Sequence, residues 1–176
     1  MTSATDHVPE PVLPDGAWSV DPRRSEIGFA VKAMWGLVTV HGVFGSYDGS
    51  LNVRAGGAAG ELTIEAASLD TGNGRRDRHL RSPDFFDVER HPRIVFTATG
   101  ATVRDGRLAV VGELAIDPSR VPLEIPVAVE EMADGALRVD GKVTVSREDA
   151  GLAWNMLGTI GGDAMLHARL TLERAS

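Results

Sequence analysis

Five histidines, His7, His41, His79, His91 and His167, are the side chains of this sequence best suited to acid–base or metal chemistry, and their spacing supports neither. No two of them form an HxxxH, HExxH or HxH arrangement, so no local zinc site is expected. Ser25, Ser46, Ser68, Ser82, Ser119 and Ser146 lack the GxSxG surroundings of a nucleophile elbow. The absence of cysteine removes disulfides, thiolate nucleophiles and cysteine metal sites together. There is no P-loop and no dinucleotide fingerprint before a helix. Asp77 and His79 make an acid–base pair only on paper, because residues two apart on a helix do not face each other. Asp77 is instead expected to pair with Arg76 or Arg78. No catalytic residue, metal ligand or cofactor is assigned.

The densest chemistry lies between Thr71 and Pro92, TGNGRRDRHLRSPDFFDVERHP. Four arginines and a histidine occupy RRDRHLR, and the aromatic pair Phe85–Phe86 follows at once. A positive patch beside aromatic rings suits an anionic or polar head group on an apolar molecule. It suits equally a folded loop whose arginines pair with Asp77, Asp84 and Asp87. Both readings stay open on the residues alone. The chain as a whole carries 18 basic against 25 acidic residues, a net charge of −7, which argues against nucleic-acid binding.

The elements that must position these groups are strands. At 176 residues with 43% apolar content, the chain is expected to be one globular domain, residues 17–176, preceded by a flexible tail, residues 1–16, that carries three prolines. The N-terminus has no signal-peptide pattern and no run is long enough for a membrane helix, so a cytoplasmic protein is expected. Val121, Leu123, Ile125, Val127 and Val129 alternate with polar or small residues, as do Leu108 to Ile116, Leu137 to Val145 and Leu166 to Leu172. A period of two means half-buried strands. They are predicted near 17–21, 25–33, 37–47, 49–54, 59–67, 93–103, 107–116, 121–131, 136–146 and 163–173, with some neighbours forming one long bent strand. Asp48-Gly49, Asp105-Gly106 and Asp134-Gly135 read as hairpin turns, and Gly42 and Gly45 as bends or bulges. A short helix is predicted around 73–81, and a second one after Ser82 as N-cap and Pro83 at the first helical position. About eight antiparallel strands with two short helices make an all-β closed barrel with a cap, its interior either packed or able to hold a small ligand. Phe29, Trp35, Phe44, Phe85, Phe86, Phe96 and Trp154 are candidates for that interior. Met34-Trp35-Gly36, at a predicted turn, is a place where a barrel mouth presents apolar surface.

Three stretches carry a resemblance. WSVDPRRSEIGFAVKAMWGLVTVHGVFGSYDG, LTIEAASLDTGNGRRDRHLRSPDFFDVERHPRIVFTAT, and VVGELAI with SREDAGLAWN resemble the YceI-like family over about Trp18 to Glu173. The resemblance implies a lipocalin-like eight-stranded barrel that binds a long isoprenoid, a polyisoprenoid or an isoprenoid quinone, as a carrier or store, with a homodimer among the expected states. On this reading Phe29, Met34, Trp35, Phe44, Phe85, Phe86, Phe96 and Trp154 contact the chain, and Lys32, Arg78, His79 and Arg81 contact its head group. The sequence departs from the family pattern at Ala33, which stands in place of a histidine, at Ser119-Arg120-Val121-Pro122, and at Ala150, which stands in place of an aromatic residue. Two rivals remain: an enzyme on a lipid-like substrate with His79 as acid–base group, and an interaction protein with a filled barrel.

Overall fold

The computed structural model describes residues 12–152 and 160–176, and these form an all-antiparallel sheet that closes on itself. In chain order the strands are β1 (Gly16–Val20), β2 (Glu26–Ala33), β3 (Val38–Phe44), β4 (Tyr47–Arg54), β5 (Gly57–Glu65), β6 (Leu69–Asp70), β7 (Arg93–Arg104), β8 (Arg107–Ile116), β9 (Ser119–Glu131), β10 (Leu137–Ser146) and β11 (Ile160–Arg174). One α-helix, α1 (Gly74–Arg81), follows β6. The hydrogen-bonded order β1-β4-β5-β7-β8-β9-β10-β11 returns to β1, so eight strands complete the ring.

Three of the eight positions are long strands broken once. β11 pairs with β1 through Leu172–Arg174 and with β2 between Ile160 and Arg169, so β1 and β2 share one position. A 3-10 turn at Pro22–Arg24 joins them, held by the fully buried Thr171. Its hydroxyl donates to the Arg24 carbonyl at 2.8 Å, its N–H donates to Ser25 Oγ at 2.9 Å, and its carbonyl accepts from Asp21 N at 2.9 Å. β3 and β4 likewise form one strand kinked at Gly45–Ser46, opposite β5 and β6.

The predicted strands match these bounds closely, and three local expectations are corrected. Asp48-Gly49 lies inside β4, paired with Thr63 and Leu62. A Cβ at Gly49 would stand 2.9 Å from the Glu61 carbonyl, so the glycine serves close strand packing and the turn falls at Ala55-Gly56, where φ is 50° and 78°. Asp105-Gly106, with φ of 51° and 69°, is the hairpin turn expected of that dipeptide. The second helix is absent: Ser82 closes α1, its Oγ bonded to the His79 carbonyl at 2.6 Å, and residues 83–90 run as turns, with Asp87 at φ 46°. Gly42 is no bulge, since the β2–β3 register runs unbroken through Phe29↔Gly42.

Inward residues sort into two clusters. Leu13, Trp18, Val53, Leu108, Leu137 and Leu172 fill the end where the chain termini enter the barrel. Leu13, from the stretch read as a tail, is buried there, and the Pro14 carbonyl accepts from Trp18 Nε1 at 3.2 Å. The second cluster, around Phe29, Phe44, Ile64, Ile94 and Leu114, lines the rest of the barrel. Within it two rings lie flat on glycines. The Phe29 ring covers Gly42 directly across the β2–β3 pair, and Phe96 leans over Gly112, where a Cβ would come 2.8 Å from its Cζ. Gly42→Val is therefore expected to lower stability by about 1–3 kcal/mol, read as a fall in the urea midpoint at constant slope, and the Gly42→Val/Phe29→Ala double variant is expected to lose less than the sum of the two single losses. An unchanged midpoint contradicts the packing described.

Candidate functional site

The alternation that builds the wall also decides what the interior is made of. Every second residue of β8, β9, β10 and β11 points inward, and these positions hold Leu114, Leu123, Ile125, Val143 and Leu166. They enclose a cavity of about 260 Å³. It runs from Leu13, Val139 and Leu172 near the filled end to Leu80, Phe85, Phe86 and Ile116 at the opposite end. An apolar cavity of about 150 Å³ already takes up benzene. By that proportion this one holds about ten carbon atoms as it stands.

Of the residues singled out for contact with an apolar chain, Phe29, Phe44, Phe85, Phe86 and Phe96 all line the cavity. Phe44 links two of the others, at 5.6 Å from Phe29 and 6.2 Å edge-on from Phe86. Met34 and Trp35 do not reach it: they form the exposed tip of the β2–β3 hairpin. Trp154 lies outside the described residues. Lys32 is exposed and alternates with the inward Phe29 and Val31, which puts it on the outer face of β2.

The basic cluster divides. Arg81 donates to the carbonyls of Ala67 (2.9 Å) and Leu69 (2.7 Å), fastening α1 onto the end of the β5–β6 strand. Arg76 donates through Nε to Thr71 Oγ1 (2.8 Å) and through an Nη to the Thr71 carbonyl (2.9 Å). Asp77 is buried, and its carboxylate accepts from both the N–H and the hydroxyl of Thr71. The expected Asp77 pairing with Arg76 or Arg78 is thus replaced by a three-residue knot around Thr71. His79 sits outside the cavity wall, 3.1 Å from Asp84 and edge-on to the Phe85 ring at 5.3 Å. Arg75 and Arg78 are exposed on α1.

Sequence reasoning gave no role to Arg147, the one buried basic side chain among the described residues. It lies at the cavity wall just past β10, and it donates to the carbonyls of Gly161 (2.6 Å) and Leu152 (2.8 Å). Burial pushes its guanidinium pKa down from the ordinary value, yet arginine stays charged at any ordinary pH. The residue ties the segment after β10 to the start of β11. Its only sequence signal was its place in SREDAG. Among the described residues no group of three His, Asp or Glu side chains is placed to hold a metal ion, and no helix is long and apolar enough to cross a membrane.

Comparison with known proteins fits this architecture. The YceI-like domain model matches residues 18–172. A UPF0312 protein of Photorhabdus laumondii is 34% identical over 100 residues, 55% of this chain and 52% of that protein. Protein YceI of Escherichia coli O157:H7 is 29% identical over 102 residues, 56% and 53% of the two chains. The chain thus spans about half the length of these curated relatives. Among solved structures, BcnA of Burkholderia cenocepacia superposes with a TM-score of 0.79 at 19% identity, covering 86% of this chain and 98% of its own. A polyisoprenoid binding domain from Saccharophagus degradans gives 0.73 at 17% identity, covering 90% and 98%. At these identities the likeness establishes the fold.

Arg147→Met is expected to cost about 2–3 kcal/mol, since it strips a charged donor from two carbonyls, whereas Arg78→Gln on the exposed face of α1 stays within about 0.5 kcal/mol. Urea denaturation of the two variants checks the contrast; equal midpoints contradict it.

Proposed function

Because this chain belongs to the YceI-like domain family, we propose that its barrel binds the hydrocarbon chain of an isoprenoid, a polyisoprenoid or an isoprenoid quinone, as a carrier or storage protein. The observation that carries the reading is the cavity itself, whose wall is almost wholly apolar and includes five phenylalanines. The polyisoprenoid binding domain from Saccharophagus degradans, with the same fold, supports it.

The energetics favour a chain over a head group as the source of affinity. Each buried methylene is worth about 0.8 kcal/mol, so one isoprene unit contributes roughly 3–4 kcal/mol gross. Five units, roughly 15–20 kcal/mol gross, reach or exceed the association cost of about 4–15 kcal/mol. A chain longer than about ten carbons needs more room than the cavity has at rest, so the rings along the wall and at the cap shift as it enters. The head group then sits toward the cap, where Arg78 and His79 are the nearest candidates from the sequence reading. Arg81 already spends its guanidinium on backbone carbonyls and serves this function by holding α1.

Ala168 lines the cavity on β11 and is half-buried, so a larger side chain there fills space that a ligand would take. Ala168→Leu is expected to keep or raise the urea midpoint while the isoprenoid recovered by organic extraction of the purified protein, counted by mass spectrometry, falls at least tenfold. Phe96→Asp, which sets a charge in the wall, is expected to lower recovery similarly, with folding verified by circular dichroism. Full recovery from a folded Ala168→Leu variant sinks the assignment of the cavity as the binding site.

A further inference from the structure

We infer that the β2–β3 hairpin tip is a membrane-docking device, inserting Trp35 and Leu37 among the lipids of a bilayer so that the barrel collects or delivers its cargo there; the inference rests on the isoprenoid reading above. Four observations carry it.

The first is concentration. Of the eight exposed large apolar residues among the described residues, four, Met34, Trp35, Leu37 and Val38, fall on five consecutive positions. Trp35 is 76% and Leu37 82% exposed. Scattered surface hydrophobes need no explanation, but a cluster on one tip does.

The second is shape. Ala33 and Met34 accept hydrogen bonds from Gly36 N (3.1 Å) and Leu37 N (3.2 Å), closing a tight turn. Met34 and Trp35 take φ of 50° and 56°, a conformation that bulky residues adopt only under constraint. The product is a convex wedge. Four partly exposed side chains on one turn offer less than the roughly 800 Å² per partner of a stable protein interface, so the tip suits a fluid apolar medium better than a second copy.

Charge is the third. From Ile27 to Tyr47, 21 residues, there is no carboxylate and a single lysine, Lys32, in a chain whose net charge is −7. A surface that enters lipid must be free of carboxylates, and tryptophan is the residue best suited to the lipid–water boundary.

The fourth is position. In an antiparallel ring the connections alternate between the two ends, and the β2–β3 turn shares its end with the β6–β7 cap segment, the β8–β9 turn and the β10–β11 connection. The other end is closed by Trp18, Leu137 and Leu172. The tip therefore projects from the end where Phe85 and Phe86 form the cavity's last wall. The exposed charges of this end are mixed, Arg75 and Arg78 beside Asp84, Glu89, Asp117, Glu148 and Asp149, so the apolar tip carries the docking.

The test is sedimentation of the full chain with phosphatidylcholine vesicles and with vesicles of equal parts phosphatidylcholine and phosphatidylglycerol, beside uptake of a prenol from detergent solution. Binding is expected for the wild type on both vesicles, and at least tenfold weaker for Trp35→Ser/Leu37→Ser. The variant's prenol uptake from detergent is expected to match the wild type, which separates failure of docking from failure of the cavity. Wild-type protein that stays in the supernatant with both vesicles, or a variant that sediments equally well, overturns the inference. So does a wild-type dimer in sedimentation velocity that the variant disperses, since the tip then meets a second copy.

Discussion

The lumen of this barrel depends on where two phenylalanine rings rest. In an eight-stranded barrel the interior is just wide enough for inward side chains to fill it or for one small ligand. Here Phe29 and Phe96 lie along the wall, because the positions they cover, Gly42 and Gly112, have no side chain to hold them off. Both glycines are buried and neither reaches the cavity, as expected of residues hidden beneath a ring. A side chain at either position would push its ring toward the axis and close the space that remains. The two large residues and the two glycines thus act together, and the cavity is the volume that their arrangement leaves.

The same economy divides the ends of the molecule. One end is sealed by hydrophobic packing around Trp18, whose ring also carries the Arg174 guanidinium carbon 4.6 Å from its centroid. The other end is closed by the turns after α1 and residues 147–152, which among the described residues contribute few buried side chains and rely on arginine. Arg81 and Arg147 each span two backbone carbonyls, and Arg76 grips Thr71. Polar clasps of this kind fix a loop without filling the space beneath it. Phe85 and Phe86 complete the wall at the end from which the hairpin tip projects.

Most of the barrel was legible in the sequence, because period-two alternation is a direct record of which face is buried. The errors came where a local signal lost to tertiary context. Asp48-Gly49 has turn chemistry, but pairing with β5 carries β4 straight through it. Ser82-Pro83 has helix-start chemistry, but Ser82 ends α1 and the chain turns at Asp87. The aromatic residues of the interior were legible as apolar positions on strands. Whether they filled the barrel was not, since that depends on a cross-strand register that sets Phe29 opposite Gly42. The basic cluster stayed ambiguous in the sequence for a related reason. An arginine bound to a carbonyl and an arginine facing solvent look alike in sequence, and bonds to the main chain leave no pattern of complementary residues. Arg147 was silent on the same grounds.

The measurement that bears most directly on an open, chain-binding lumen is native mass spectrometry of the purified protein after incubation with a long-chain isoprenoid quinone. A single adduct of one quinone per chain, retained through desalting, is the predicted result. A spectrum showing only the bare chain at saturating quinone would contradict the account and favour a barrel whose interior has no room for a guest.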